Sequence, residues 1–232
     1  MEPTAVKSGQ DAGFVQGAFG KIASRYVLTN HVLSFGIDVL WRRTTAAAVA
    51  QRNPATVLDL ATGSGDLAAE IQRRCPTAEV TGADFSPPML QEALKRGLKN
   101  LMVADAMKLP LSDACVDVVT VAFGLRNMAS WPDALKEMSR VLKPGGALFV
   151  LDFSLPMPGL VRNLHLFYLR KVMPVVAGLI TGERGAYDYL CQSIEHFPSG
   201  EAMCELMRNN GFRKATARAL TFGAASLYVA ER

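Results

Sequence analysis

Asp59, Gly63, Gly65, Asp66 and Asp84 have the types and spacing to hold a small charged ligand. In Val57-Leu58-Asp59-Leu60-Ala61-Thr62-Gly63-Ser64-Gly65-Asp66-Leu67-Ala68 an apolar run enters a glycine-rich turn and then helix-like spacing. Gly63 and Gly65 allow a tight turn and let a ligand approach where a Cβ would otherwise stand. The helix that follows offers free N–H groups at its start. Asp84 lies 19 residues beyond Gly65, close to the spacing at which a carboxylate meets ribose hydroxyls in nucleotide-binding α/β units. An ordinary strand-to-helix turn would use the same glycines, and Gly63-x-Gly65-x-x-Ala68 also satisfies the dinucleotide fingerprint. Asp59 and Asp66 pull away from that reading, because acids flanking the turn suit a cation and disfavour a pyrophosphate. Ala104-Asp105-Ala106 adds a carboxylate able to accept a hydrogen bond from an adenine amino group; its other reading is a helix cap or turn.

Such residues need a sheet edge to hold them. Residues 55–60, 79–84, 101–104, 116–123 and 147–153 are short runs rich in Val and Leu. Between them, 66–75, 88–96 and 132–142 carry helix-like spacing, with Pro and Asp near their starts. Strands alternating with helices imply right-handed crossovers and a parallel sheet covered on both faces. Runs 212–220 and 225–231 are separated by only four residues, so they must be antiparallel neighbours. Residues 1–13 read as a loose tail and 14–232 as one domain. Within it, 14–52 form a helical cap broken near Asn30 and Gly36, and 155–200 form a helical lid inserted before the last hairpin.

Composition narrows the classes of function. The 232 residues are 50% hydrophobic and 20% charged, ordinary globular usage. Lys and Arg number 25 against 21 Asp and Glu, for a net charge of +4. Without a dense basic stripe, no nucleic-acid partner is expected. Cys75, Cys115, Cys191 and Cys204 form no C-x-x-C pair and no metal-ligand pattern, so no metal is expected and the compartment reads as reducing. No secretory leader is expected either, and the location reads as cytoplasmic. The most apolar stretch, 164–181, is broken by Arg170-Lys171 and Pro174. It suits contact with a membrane surface rather than a crossing.

Val57 to Ala68, Gly82-Ala83-Asp84-Phe85-Ser86, Ala104-Asp105-Ala106 and Arg140-Val141-Leu142-Lys143-Pro144-Gly145-Gly146 together resemble the class I S-adenosylmethionine-dependent methyltransferases. A narrower resemblance, to the ubiquinone/menaquinone biosynthesis C-methyltransferases (UbiE family), lies in Tyr26-x-x-x-Asn30-x-x-x-Ser34-x-Gly36-x-x-x-x-Trp41-Arg42 and Ala122-Phe123-Gly124-Leu125-Arg126-Asn127. Asp152-Phe153-Ser154-x-Pro156 and Tyr187-x-Tyr189-Leu190-x-x-Ser193-Ile194-x-x-Phe197-Pro198 extend it, so that it covers residues 14 to 230. Tyr228-Val229-Ala230 departs from the His-x-Gly found there in the family.

The resemblance implies a Rossmann-like seven-stranded α/β sheet, parallel with one antiparallel strand. It implies S-adenosylmethionine held by Asp59, Ala61, Thr62, Gly63, Gly65, Asp84, Phe85, Asp105, Ala106 and Phe123. It also implies a hydrophobic quinol substrate, demethylmenaquinol ahead of ubiquinone-pathway benzoquinols and other phenols. A homodimer is a further expectation. Methyl transfer by in-line displacement asks the enzyme to align the reacting atoms and exclude water. A hydroquinone carbon becomes nucleophilic when its neighbouring hydroxyl loses a proton, so an oxyanion must be stabilised and a proton accepted. Arg126 is the candidate for that oxygen, with Asn127 as hydrogen-bonding partner and water or a carboxylate near Arg126 as base. His165 and His196 are weaker candidates. Phe19, Tyr26 and Phe35 would shield the sulfonium, and apolar residues of 164–179 would line a channel for an isoprenoid tail.

Overall fold

A computed structural model describes residues 34, 36–173, 175 and 191–232. Seven strands form one sheet in the order β3-β2-β1-β4-β5-β7-β6. They are β1 (Thr56–Leu60), β2 (Glu79–Asp84), β3 (Asn100–Val103), β4 (Val116–Ala122), β5 (Leu142–Phe153), β6 (Lys214–Leu220) and β7 (Ala225–Glu231). The first five pair in parallel, and β7 runs antiparallel to both β5 and β6. The sheet is therefore the expected class I arrangement.

Helices cover both faces, because each central strand is apolar on both sides. Val57, Val118, Phe149 and Leu151 face one layer, which holds α1 (Ile37–Ala50), α2 (Asp66–Arg74) and α3 (Pro87–Lys95). Leu58, Val119, Val121, Leu148 and Val150 face the other, with α4 (Trp131–Val141) and α6 (Glu201–Arg208). Local sequence starts α1, α3 and α4 where expected. Gly36, in the left-handed region, precedes α1. Prolines occupy the first turns of α3 and α4, and the Ser130 hydroxyl caps α4 by accepting from the Asp133 N–H.

Two elements depart from the sequence reading. β5 begins at Leu142 rather than residue 147: Leu142 pairs with Val116 and Ala147 with Val118, and Pro144-Gly145-Gly146 fall in the register irregularity between those two pairs. Helix α6 had no counterpart in the expected elements. Its Met203, Cys204 and Met207 are buried, a pattern too short to stand out as periodic.

Of the expected cap, the described residues comprise α1; Phe19, Tyr26 and Phe35 lie outside them. Of the 155–200 insertion they include α5 (Leu160–Phe167), a π-helical turn (Tyr168–Val172) and helical residues 191–196. Leu169, Met173, Cys191 and Ile194 form a third apolar cluster against Phe153 and Leu155. Among the described residues no helix is long and apolar enough to cross a membrane, and no cluster of side chains could hold a metal ion.

Candidate active site

The strand order reverses direction between β1 and β4, and open α/β sheets bind ligands at the carboxyl ends of strands beside such a point. A cavity of about 390 Å³ lies there, within the roughly 300–1,000 Å³ usual for small-molecule sites. Ten of the twelve expected site residues line it: Asp59, Ala61, Thr62, Gly63, Asp84, Phe85, Asp105, Ala106, Phe123 and Asn127.

Asp84 closes β2, and its carboxylate accepts from the Gly63 and Ser86 N–H groups, each at 2.9 Å. Those two bonds fix the carboxylate against the glycine turn while leaving acceptor capacity for a diol. Burial pushes its pKa up, against the pull of these backbone donors. Asp105 accepts from the Met107 N–H at 2.9 Å, so the turn reading holds for one oxygen. Its other oxygen accepts no hydrogen bond among the described residues, and the side chain still lines the cavity.

Asp59 is buried inside β1, with Thr120 Oγ1 at 2.5 Å and Thr62 Oγ1 at 2.6 Å donating to its two oxygens. Desolvation pushes its pKa up to about 6, only partly offset by the threonine hydroxyls and by Arg42. Asp66 opens α2, accepts from Ser64 Oγ at 2.5 Å and pairs with Arg96 at 3.1 Å.

Gly63 and Gly65 divide the labour of the turn. Both have positive φ, 57° and 78°. A Cβ on Gly63, which lines the cavity, would stand 3.2 Å from Met89 Cε. A Cβ on Gly65 would meet Leu98 Cδ1 at 2.4 Å and Ala93 Cβ at 3.2 Å. Gly65 does not line the cavity, and its lack of a side chain serves the packing beneath the turn.

Arg126 also stands apart. It lies in a 3₁₀ turn (Leu125–Asn127) after β4, and its side chain is 1% exposed. Nη1 pairs with Asp152 at 2.6 Å and donates to Phe123 O at 2.8 Å, and the guanidinium lies 5.2 Å from the Phe153 ring centroid. It is absent from the cavity lining, whereas its neighbour Asn127 is present and donates to Phe123 O at 3.4 Å. The carboxylate beside Arg126, Asp152, is likewise fully buried and off the lining. His165 and His196 do not line the cavity either.

Sequence reasoning left Arg42, Ser64, Ser86, Met89, Met107 and Met128 out of the site, all of them on the lining. Arg42 had a signal, since it ends the Trp41-Arg42 motif. The methionines had none, because an apolar residue after a strand reads equally as core.

A sheet finished by an antiparallel hairpin, with its cavity at this switch point, defines a class I S-adenosylmethionine-dependent methyltransferase. Solved structures share the fold. A putative O-methyltransferase from Nostoc punctiforme matches with TM-score 0.65 at 16% identity, covering 99% of this chain and 64% of its own. An S-adenosylmethionine-dependent methyltransferase from Thermotoga maritima, described as a possible histamine N-methyltransferase, matches with TM-score 0.56 at 19% identity, covering 89% and 98%. The chain belongs to the ubiE/COQ5 methyltransferase family, whose profile matches residues 4–232. Among curated relatives, the demethylmenaquinone methyltransferase of Thermus thermophilus is 46% identical, covering 92% of this chain and 99% of its own. The ubiquinone/menaquinone biosynthesis C-methyltransferase UbiE of Dinoroseobacter shibae is 40% identical, covering 96% and 92%. The dinucleotide alternative is set aside with this membership.

The cavity fits the cofactor. Carboxylates flank the turn where a sulfonium and an ammonium would be welcome and a pyrophosphate would not, and Asp84 is held by backbone donors in an orientation suited to a ribose diol.

Proposed function

We propose that this enzyme methylates a ring carbon of a reduced, demethylated prenylquinone, with demethylmenaquinol as the first choice of acceptor. The observation that carries this reading is the near end-to-end match to relatives named demethylmenaquinone methyltransferase. When bound, S-adenosylmethionine supplies a sulfonium methyl group for the new carbon–carbon bond.

The protein's residues bind, orient and exclude water. Asp84 would take the ribose hydroxyls and Asp105 the adenine amino group, which sets the nucleoside toward β2 and β3. Asp59 would favour the positive charges of the amino-acid end. Phe123, packed at 4.8 Å on Phe153 and at 6.3 Å on Trp41, keeps water from the reacting side. Asn127 would hydrogen-bond the quinol oxygen. Arg126 acts one step back, fixing the Phe123 carbonyl and hence the turn that carries Phe123 and Asn127. With Asp152 buried in that ion pair, the ring hydroxyl's proton would leave to water.

Asp59 gives this reading a pH signature. A cationic ligand favours the ionised carboxylate, so affinity should rise with pH through about 6 and level off above it. Below that point it should fall about tenfold per unit as Asp59 takes up a proton. The unliganded protein shows the opposite sign: the native pKa lies above the unfolded value, so stability declines as pH rises from about 4 to about 6. Calorimetric titrations between pH 5 and 7 check the first statement, and a flat profile in the unmodified enzyme would remove Asp59 from the ligand's charge partners.

The same reading includes contact with a membrane surface, where a prenylated acceptor resides. Helix α5 buries none of its residues and leaves Leu160, Leu164 and Phe167 exposed, with Met157 before it, Arg162 within it and Lys171 after it. Co-sedimentation with anionic vesicles should occur and should weaken in Phe167→Glu. Equal sedimentation of both proteins would refute this use of α5.

The decisive assay incubates the enzyme anaerobically with S-adenosylmethionine and a short-tailed demethylmenaquinol, read by mass spectrometry for one added methyl on ring carbon. Cofactor binding without product would discard the menaquinol assignment and move the search to benzoquinols and other phenols.

A further inference from the structure

The charged groups along the cavity are unevenly matched. Asp59, Asp66, Asp84 and Asp105 contribute four carboxylates, and among the described lining residues Arg42 is the one cation. S-adenosylmethionine carries two positive groups, the sulfonium and the ammonium, and one negative group, the amino-acid carboxylate. The acids account for the first two and for the neutral nucleoside. None of them can take the third.

Position along the cavity makes the same distinction. Asp105 follows β3 and Asp84 ends β2, so the nucleoside end lies on that side of the sheet. Asp59 is in β1 and Phe123 follows β4, on the opposite side. Arg42 belongs to this second group. Its guanidinium carbon lies 5.1 Å from the Phe123 ring centroid, and its charge reaches Asp59. Nη1 pairs with Asp38 one turn earlier on α1, and the side chain is 14% exposed. Arginine has five donors in a rigid planar fork, so one ion pair and one stacked ring fix its plane without exhausting it.

We infer that Arg42 is the anchor for the amino-acid carboxylate of S-adenosylmethionine, reaching it from α1 while Phe123 and Asp38 hold its plane. This rests on the cofactor orientation proposed above, with the nucleoside at Asp84 and Asp105. Arg42 is thus a cofactor-binding residue that discriminates by charge: it favours ligands bearing the carboxylate and is neutral or adverse to ligands that lack it.

Equilibrium calorimetry on the unliganded enzyme tests this with three ligands. For Arg42→Gln, binding of S-adenosylmethionine and of S-adenosylhomocysteine should weaken together by roughly 10- to 100-fold, as expected for loss of a charge-assisted hydrogen bond. Both carry the carboxylate, and only the first carries the sulfonium. Decarboxylated S-adenosylmethionine, which keeps both positive groups, should bind Arg42→Gln as well as the unmodified enzyme or better. Arg42→Lys, which keeps the charge without the fork, should recover part of the loss for the carboxylate ligands. Thermal unfolding of each variant confirms that the cavity remains folded at the titration temperature. Equal weakening of all three ligands would reduce Arg42 to a structural partner of Asp38 and overturn the inference, as would unchanged binding of S-adenosylmethionine. Failure of the unmodified enzyme to bind any of the three would instead overturn the cofactor reading beneath it.

Discussion

Arg126→Met should lower the free energy of unfolding by about 3–5 kcal/mol at neutral pH, the usual consequence of stranding one member of a buried ion pair. Asp152 has no exposed area, and Arg126 Nη1 at 2.6 Å is its cationic partner. Burial already pushes the Asp152 pKa up, and Arg126 is the largest influence pulling it back. Without that cation the carboxyl should hold its proton to higher pH in the native state than in the unfolded chain. The penalty should therefore shrink as pH falls and grow as pH rises past the point where Asp152 ionises in the unmodified native enzyme, which burial already places above the ordinary carboxylate range. Arg126→Met combined with Asp152→Asn should regain much of the loss, since an amide has no charge to strand. Urea unfolding at two pH values measures all three effects. A single-variant loss below about 1 kcal/mol would show that the pair does little for the fold, and the case for Arg126 as a contact to substrate would be stronger for it.

The second large effect is on ligand binding. Asp84→Asn should weaken S-adenosylmethionine binding by roughly 100-fold or more, because two hydrogen bonds to a charged acceptor each contribute about 1.5–3 kcal/mol. The change is nearly isosteric, and the amide oxygen can still accept from the Gly63 or Ser86 N–H. The fold should therefore survive, and the effect should read as affinity. A 2′-deoxyribose analogue separates the ribose from the rest: it should lose affinity against the unmodified enzyme and much less against Asp84→Asn. Binding within threefold of the unmodified enzyme would remove Asp84 from the ribose site and leave it as the latch of the glycine turn.

Much of this molecule was legible before its structure. The strands at 79–84 and 225–231 coincide with the observed β2 and β7, because alternating hydrophobicity and flanking turns are local properties. The hairpin direction followed from a four-residue connection, which no parallel pair could use. The cavity lining at Asp59, Ala61, Thr62 and Gly63, with Asp84, Phe85, Asp105 and Ala106, was legible for a related reason. A residue at the end of a parallel strand is carried to one edge of the sheet, so its position in sequence fixes its position in space. Helix α6 and the early start of β5 were hidden, since short elements that pack in a large core need little periodicity of their own.

Side-chain direction belonged to the tertiary structure alone. Arg126 and Asn127 are adjacent in the chain, yet one is locked against Asp152 and the other lines the cavity. Gly63 and Gly65 share a turn, yet one borders the ligand space and the other the Leu98 side chain. Arg42 reaches the site across some eighty residues, through the packing of α1 beside Phe123. The sequence by itself determined the alternation of strands and helices, the antiparallel closing hairpin and the sheet edge where a ligand binds, because these follow from local pattern and the geometry of parallel crossovers. The class of ligand followed from the resemblance to the class I methyltransferases. Which charges face that ligand depends on contacts between distant segments, and burial, not spacing, sets those charges and their partners.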